Sequence, residues 1–78
     1  MKTIYHPTYA LLVEKLIVER KSSGMTQAQL ANKLGKHQSY VAKIEGCERM
    51  LDVLEFVEWC KALGLVASEY VRDIEKIS

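Results

Sequence analysis

The segment Met25–Glu45 constrains the fold more than any other part of the chain, because it carries the signals of two short helices joined by a tight turn. Thr26 suits the N-cap of the first helix, and Gln29, three residues later, completes a Thr-x-x-Gln capping box. Gly35 can adopt the left-handed conformation in which helices commonly end. These signals predict a helix-turn-helix over about residues 26–46.

The second helix of this unit is predicted to begin near Gln38, to end at Glu45 and to be stopped by Gly46. Val41 and Ile44 share one face at helical spacing, so that face is expected to be buried. The opposite face is mostly polar and consists of Gln38, Ser39, Ala42 and Lys43, with Tyr40 on the flank.

This outer face has the residue types that read base edges in the major groove of DNA. Gln can bond N6 and N7 of adenine, Lys can reach O6 and N7 of guanine, Ser can donate or accept, and an apolar methyl can touch the thymine methyl. We therefore expect base contacts from Gln38, Ser39, Ala42 and Lys43. A polar outer face alone would also fit a helix that is only solvated, so the expectation depends on the capping box, the turn and the charge pattern as well.

Charge is segregated along the chain, although the formal net charge is only +1. Residues 20–49 contain six basic and two acidic residues, a net charge of +4, whereas the remainder contains five basic and eight acidic residues, a net charge of −3. No Asp or Glu occurs between Arg20 and Ile44. A basic motif on an acidic body is the electrostatic pattern of a nucleic-acid binder with a defined orientation.

The chain has 78 residues, enough for one small domain over residues 1–78, and 49% of them are hydrophobic. No apolar run approaches the length of a membrane span, and residues 1–7 lack a signal-peptide pattern, so a cytoplasmic protein is expected. A core of this size contributes only a few kcal/mol on its own, and dimerisation would add to it.

Catalytic and metal-binding patterns are not found in the sequence. His6 and His37 are not paired with a nucleophile or a ligand set, and there is no Gly-rich phosphate loop. Cys47 and Cys60 lack metal-ligand and Cys-x-x-Cys spacing; Cys60 is expected in the core, and a redox role for Cys47 stays open. We expect neither an enzyme nor a cofactor or metal site.

Three segments together resemble the Cro and phage-repressor type of helix-turn-helix, the XRE family: TQAQLANKLG, HQSYVAKIEG and the following ERMLDVLEFVEWCKALGL. The resemblance covers about residues 12–65 and is specific in its spacing. It implies an all-α, compact five-helix domain whose third helix enters the major groove of double-stranded DNA. It also implies a protein that usually works as a dimer.

The same resemblance assigns roles to single residues. It implies that Gln27 contacts a phosphate and braces Gln38, and that Arg20 and Glu45 form a partly buried ion pair between helix 1 and the end of helix 3. Further contacts to the DNA backbone, which fix register without reading sequence, are expected from Lys36, His37, Tyr40 and Arg49.

Helix 1 is expected to begin near Pro7 and to end near residues 22–24. Its apolar side chains extend beyond the face marked by Tyr9 and Leu16, so it needs a packing partner besides helices 2 and 3. The N-terminal Ile4–Tyr5 segment, helix 5 and a second subunit are the alternatives.

Two further helices are predicted after the helix-turn-helix. Asp52 and Glu55 form a capping box for helix 4, which is expected to end at Leu63–Gly64. Its core face is expected to contain Val53, Phe56, Val57, Cys60 and Leu63. Helix 5 is predicted over about residues 68–77, with Ser68 as its cap.

The expected dimer interface lies away from helix 3 and is apolar. Helix 5 is the first candidate and the surplus apolar face of helix 1 the second, since related domains often dimerise through their C-terminal helix. The candidate residues are Trp59, Tyr70, Ile74 and Ile77. The alternative for these side chains is that they fill the core of the monomer.

The main functional expectation is a sequence-specific regulator of transcription, most simply a repressor that occupies a palindromic operator. The alternative is a protein-interaction module, such as an antitoxin that neutralises a partner protein and binds DNA secondarily. A large exposed apolar surface would favour the alternative. The residues that could form one are Leu11, Ile17, Val18 and Trp59.

Overall fold

The computed structural model describes residues 6–77, and every regular element in this range is a helix. The five helices are α1 (Pro7–Ser22), α2 (Gln27–Leu34), α3 (Gln38–Glu45), α4 (Val53–Leu63) and α5 (Ala67–Ile77). The expected all-α fold with five helices is confirmed. The expected packing of Ile4–Tyr5 lies outside the described residues.

The local signals around α2 form as the sequence predicts. The Thr26 hydroxyl accepts from the backbone N–H of Gln29 at 3.1 Å, and the Gln29 side chain accepts from the Thr26 N–H at 2.8 Å. Gly35 ends the helix with φ 68°. The capping box thus defines the start of α2, and Gly35 ends it three residues before α3 begins at Gln38.

The helix α3 ends at Glu45 and is stopped by Gly46, as predicted. Gly46 caps the helix with φ −85°, and the left-handed residue is Cys47, with φ 56°. A Cβ at Gly46 would lie 3.1 Å from Glu48 Oε2 and 3.2 Å from the Ala42 carbonyl oxygen, so the space at this position is tight and favours glycine. The left-handed residue follows the cap, and because Cys47 has a Cβ it adopts this conformation at a cost.

The start of α5 differs from the prediction. The helix begins at Ala67, and the Tyr70 N–H donates to the Val66 carbonyl at 3.1 Å. Ser68 therefore lies inside the first turn and does not cap the helix. Val66 directly precedes the helix and contributes only its backbone carbonyl to the first turn.

The core lies where all five helices meet. Its fully buried side chains include Leu16 of α1, Leu30 of α2 and Val41 of α3. α1 packs against both α3 and α5, and the Tyr70 hydroxyl donates to the Leu12 carbonyl at 3.4 Å. Helix 5 is thus a packing partner of helix 1, one of the alternatives that the sequence left open.

Two of the candidate interface residues belong to this core instead. Trp59 is 0% exposed, and Tyr70 is 7% exposed and packs on Phe56. Their assignment to a dimer interface was wrong, because an enclosed side chain offers no surface to a partner. Ile74 is half-buried, and Ile77 is exposed.

The prediction for the first turn of α4 was also wrong. Val53 was expected in the core but is 77% exposed, as is Leu54. Asp52 caps the helix, so Val53 is its first residue and projects past the end of the core. Val71 of α5 is exposed as well, and it lines a groove together with Val53.

Candidate nucleic-acid interface

The α3 helix turns its apolar face inward and its remaining side chains outward. Val41 and Ile44 are both 0% exposed and anchor the helix in the core. Gln38, Ser39 and Lys43 are exposed, and Ala42 beside them is half-buried. The structure therefore brings the four expected base-contact residues together on one accessible surface.

Behind this surface, Arg20 and Glu45 form the expected ion pair between α1 and α3. Arg20 Nε donates to Glu45 Oε2 at 2.6 Å, and Arg20 Nη2 donates to Glu45 Oε1 at 3.0 Å. Only 9% and 6% of the two side chains are exposed. Arg20 Nη1 also donates to the Met25 carbonyl at 2.8 Å, so the guanidinium ties α1, the start of the helix-turn-helix and the end of α3 together.

Gln27 connects this ion pair to the outer surface of α3. Its Nε2 donates to Glu45 Oε1 at 3.0 Å, and its Oε1 accepts from Gln38 Nε2 at 2.9 Å. The bracing of Gln38 by Gln27 that the resemblance implies is therefore present in the free protein. The link from Gln27 to Glu45 joins the first residue of α2 to the last residue of α3, and no pattern in the sequence indicated it.

A second polar cluster lies on the other flank of α3, around the ring of Tyr40. The Tyr40 hydroxyl accepts from Trp59 Nε1 at 3.2 Å and donates to Glu55 Oε2 at 3.0 Å. Arg49 Nη1 donates to the same Glu55 oxygen at 2.8 Å, and its guanidinium carbon lies 5.1 Å from the centre of the Tyr40 ring. Lys36 Nζ lies 5.4 Å from that ring centre.

This cluster changes the expected role of Tyr40. A phosphate oxygen accepts hydrogen bonds, and the single hydroxyl hydrogen of Tyr40 is already donated to Glu55. In this arrangement Tyr40 has no free hydroxyl hydrogen for the phosphate contact predicted for it. Tyr40 instead supports Lys36 and Arg49, which are both exposed.

Glu55 has three partners and a perturbed acidity. The backbone N–H of Asp52, in the capping box, is the largest cause that lowers the pKa of Glu55, and Arg49 and Tyr40 lower it further, to about 2. Partial burial opposes these effects but does not outweigh them. The sequence marked Glu55 only as a capping residue, and nothing in the linear pattern indicated its contacts to Arg49 and Tyr40.

The loop that carries Arg49 is fixed by a second tyrosine. The Tyr9 hydroxyl donates to the Arg49 carbonyl at 2.8 Å and accepts from the Leu51 N–H at 3.3 Å. Burial is the main cause that raises the pKa of Tyr9. Arg49 is thus held through its backbone by α1 and through its side chain by α4.

The positive groups surround a shallow hollow at the start of α3. It is lined by Gly35, Lys36, His37, Ser39, Tyr40, Lys43 and Arg49. His37 occupies the N-cap position of α3, and its side chain makes no capping bond there. The hollow therefore combines three cations with the amino end of a helix, a combination that attracts phosphate oxygens.

A short helix, a tight glycine turn and a second helix with an exposed polar face define a helix-turn-helix protein. A family model described as helix-turn-helix matches residues 17–76. Among solved structures, the chain resembles an XRE-family like protein from Pseudomonas syringae pv. tomato str. DC3000, with 36% identity over 92% of this chain and 88% of that one, at a TM-score of 0.88. No curated protein matches. The chain belongs to the XRE family of helix-turn-helix proteins, which are DNA-binding regulators of transcription.

Residues 6–77 contain neither a helix that could span a membrane nor a cluster of metal ligands. None of the helices there is long and apolar enough to cross a membrane. Within the same range, no three His, Cys, Asp or Glu side chains are grouped so that they could hold a metal ion. Burial raises the pKa of Cys60, as expected of a thiol in the core.

Proposed function

We propose that the protein is a cytoplasmic, sequence-specific repressor that binds a palindromic operator as a homodimer, with α3 in the major groove. The observation that carries this proposal is the outer surface of α3, where Gln38 is held in place by Gln27 beside the exposed Ser39 and Lys43. A side chain that only solvates a helix needs no such bracing. A base reader benefits from it, because less side-chain freedom is lost on binding.

The interface divides into residues that read bases and residues that set the register. The base readers in this proposal are Gln38, Ser39, Ala42 and Lys43. Lys36, His37 and Arg49 surround the hollow at the start of α3 and bind phosphates on one flank. Gln27 binds a phosphate at the other flank through its half-buried amide.

The homodimer follows from the small size of a single recognition surface. An eight-residue helix presents few base-reading side chains, too few to select one site against a genome of competitors. A two-fold dimer doubles the contacts and places the two α3 helices about 34 Å apart, one turn of duplex. The described domain measures 31 × 31 × 22 Å, so two copies side by side are compatible with this separation.

The surface that we assign to the dimer is an apolar groove between α1, α4 and α5. Its walls include Tyr9, Leu12, Leu51, Val53, Phe56, Val71 and Ile74. Val53 and Val71 are 77% and 52% exposed, so the surface offers protruding side chains as well as a hollow. An isologous dimer requires one patch that is complementary to itself, and this patch has both elements.

Selection of binding sites from a random duplex pool tests the proposal. We expect enrichment of a palindrome whose half-sites are centred about one helical turn apart. Enrichment of a single half-site without symmetry would contradict the homodimer. No enrichment over the starting pool would contradict sequence-specific binding as a whole.

The exposed apolar groove also supports the second candidate, an interaction module that neutralises a partner protein. The α1 residues expected to support it contribute less, since Leu11 and Ile17 are half-buried and only Val18 is largely exposed. The two candidates differ in the purified protein. A homodimer that binds its operator without another protein favours the repressor, whereas a monomer that binds no duplex favours the interaction module.

A further inference from the structure

We propose that Glu45 is a positioning residue that makes Gln38 prefer adenine to guanine. This inference rests on the proposed function, in which Gln38 reads a base. The observation behind it is the unbroken chain of hydrogen bonds from Glu45 through Gln27 to Gln38. Glu45 itself touches no base and acts only through the orientation of the two amides.

The direction of this chain is determined by the chemistry of its inner end. A carboxylate only accepts hydrogen bonds, so the amide nitrogen of Gln27 must face Glu45. The amide oxygen of Gln27 then faces outward and can only accept, so Gln38 must direct its own nitrogen toward it. The distances of 3.0 Å and 2.9 Å agree with this order of donors and acceptors.

The inner end of this hydrogen-bond chain, at Glu45, cannot reorganise easily. Glu45 receives two hydrogen bonds from Arg20, and only 6% of its side chain is exposed. Gln27 is half-buried between this ion pair and Gln38. Water therefore competes poorly for the inner bonds, and the protein determines which atoms of Gln38 point outward.

The outward atoms of Gln38 match one purine only. One N–H of Gln38 is donated to Gln27, which leaves the second N–H and the amide oxygen for DNA. Adenine offers the complementary pair, an acceptor at N7 and a donor at N6. Guanine offers acceptors at both N7 and O6, so its O6 would face the amide oxygen of Gln38.

If the direction of the hydrogen-bond chain were reversed, Gln38 would prefer guanine to adenine. In the Glu45→Gln variant, the new amide oxygen can accept from Arg20 while its nitrogen donates to the Gln27 oxygen. Gln27 would then donate to Gln38, and Gln38 would direct both of its N–H groups outward, as guanine requires.

The test compares adenine and guanine at one operator position. The probe is the duplex selected by the wild-type protein, and the position is the one where Gln38→Ala relaxes the preference. We expect the wild-type protein to bind the adenine duplex roughly 5- to 150-fold more tightly than the guanine duplex, as expected of a bidentate contact. In Glu45→Gln the ratio should fall below about fivefold or favour guanine.

Two further variants show whether a change in the adenine-to-guanine ratio comes from the orientation of the Gln38 amide or from a loss of protein stability. Gln27→Met keeps the Arg20–Glu45 pair but breaks the chain, so it should also lower the ratio; it decides the question if Glu45→Gln does not fold. Tyr70→Phe removes a hydrogen bond to Leu12 on the opposite side of the core and should leave the ratio unchanged. An unchanged ratio in Gln27→Met, or a wild-type protein without preference for adenine, would overturn the inference.

A measurement without DNA distinguishes failure of this inference from failure of the proposed function. In the free protein, Glu45→Gln should shift the NMR signals of the Gln38 side-chain amide, although the two residues are linked only through Gln27. Glu55→Gln, on the other flank of α3, is the control and should not shift them. Unshifted Gln38 signals in Glu45→Gln would overturn the inference whether or not the protein selects a duplex.

Discussion

Trp59 Nε1 donates a hydrogen bond to the hydroxyl of Tyr40 at 3.2 Å, which ties a fully buried core side chain to the flank of α3. The bond satisfies the only polar atom of a ring that has no access to water. It also fixes the Tyr40 ring on which Lys36 and Arg49 lie. Packing of the core and placement of the positive groups are therefore coupled through one hydroxyl.

The Tyr40→Phe variant should lower the free energy of unfolding by roughly 1–3 kcal/mol, because it leaves the buried Trp59 N–H without a partner. Urea denaturation followed by Trp fluorescence measures the change. Ser39→Ala, on the exposed surface beside it, is the matched control and should change the value by no more than about 0.5 kcal/mol. Equal changes in the two variants would mean that the hydroxyl makes no net contribution.

The Glu45→Ala variant should cost roughly 3–5 kcal/mol of stability, because it leaves the guanidinium of Arg20 buried without its partner. Glu14→Ala removes an exposed carboxylate from α1 and serves as the control in the same denaturation experiment. If Glu45→Ala lowered the free energy of unfolding by less than about 1 kcal/mol, the Arg20–Glu45 pair would contribute no more than an exposed salt bridge does.

The Cys47→Gly variant should be more stable than the wild-type protein by up to about 1 kcal/mol. A side chain in the left-handed region costs about 1–2 kcal/mol, and the greater freedom of Gly in the unfolded chain offsets roughly half of the gain. Cys47→Ala keeps a Cβ at φ 56° and is the control, for which no gain is expected. If Cys47→Ala stabilised the protein as much as Cys47→Gly, backbone strain would not be the cause.

The sequence predicted most of the fold because its signals are local. The capping boxes at Thr26 and Asp52 and the glycine turn at Gly35 depend only on near neighbours, and each forms as expected. The ion pair of Arg20 with Glu45 came from the resemblance to a family. Trp59 and Val53 were misplaced because a helical wheel gives the direction of a side chain but not where the neighbouring helices end.

The sequence predicted the exposed residues of the candidate site, but it did not predict the hydrogen bonds that hold them in place. Gln38 and Lys43 stand out on the polar face of one short helix. The contacts of Glu55 with Tyr40 and Arg49 join residues from three segments of the chain, and no pattern within one segment indicates them. Long-range hydrogen bonds of this kind require the packed structure.

Two substitutions should separate base reading from phosphate binding. Gln38→Ala should weaken operator binding by roughly 1–3 kcal/mol and relax the preference at one position of each half-site. Arg49→Ala should weaken binding to all sequences alike and reduce the dependence of affinity on salt. Affinities for operator and scrambled duplexes at several salt concentrations measure both effects. Equal losses for Gln38→Ala on the two duplexes would contradict its assignment as a base reader.

The Val53→Glu and Val71→Glu variants should each dissociate the proposed homodimer, because a charge in the apolar groove would have to be buried without a partner. Val53 is the first residue of α4, where an acidic side chain is favourable in the isolated domain, so a loss of dimer there does not reflect loss of the helix. Val18→Glu places the same charge at a comparably exposed position of α1 and is the control. Sedimentation equilibrium at micromolar concentration, with and without operator, measures the state of each variant. A wild-type protein that sediments as a monomer and occupies its site as a single copy would contradict the dimer, and dissociation by Val18→Glu alone would move the interface to helix 1.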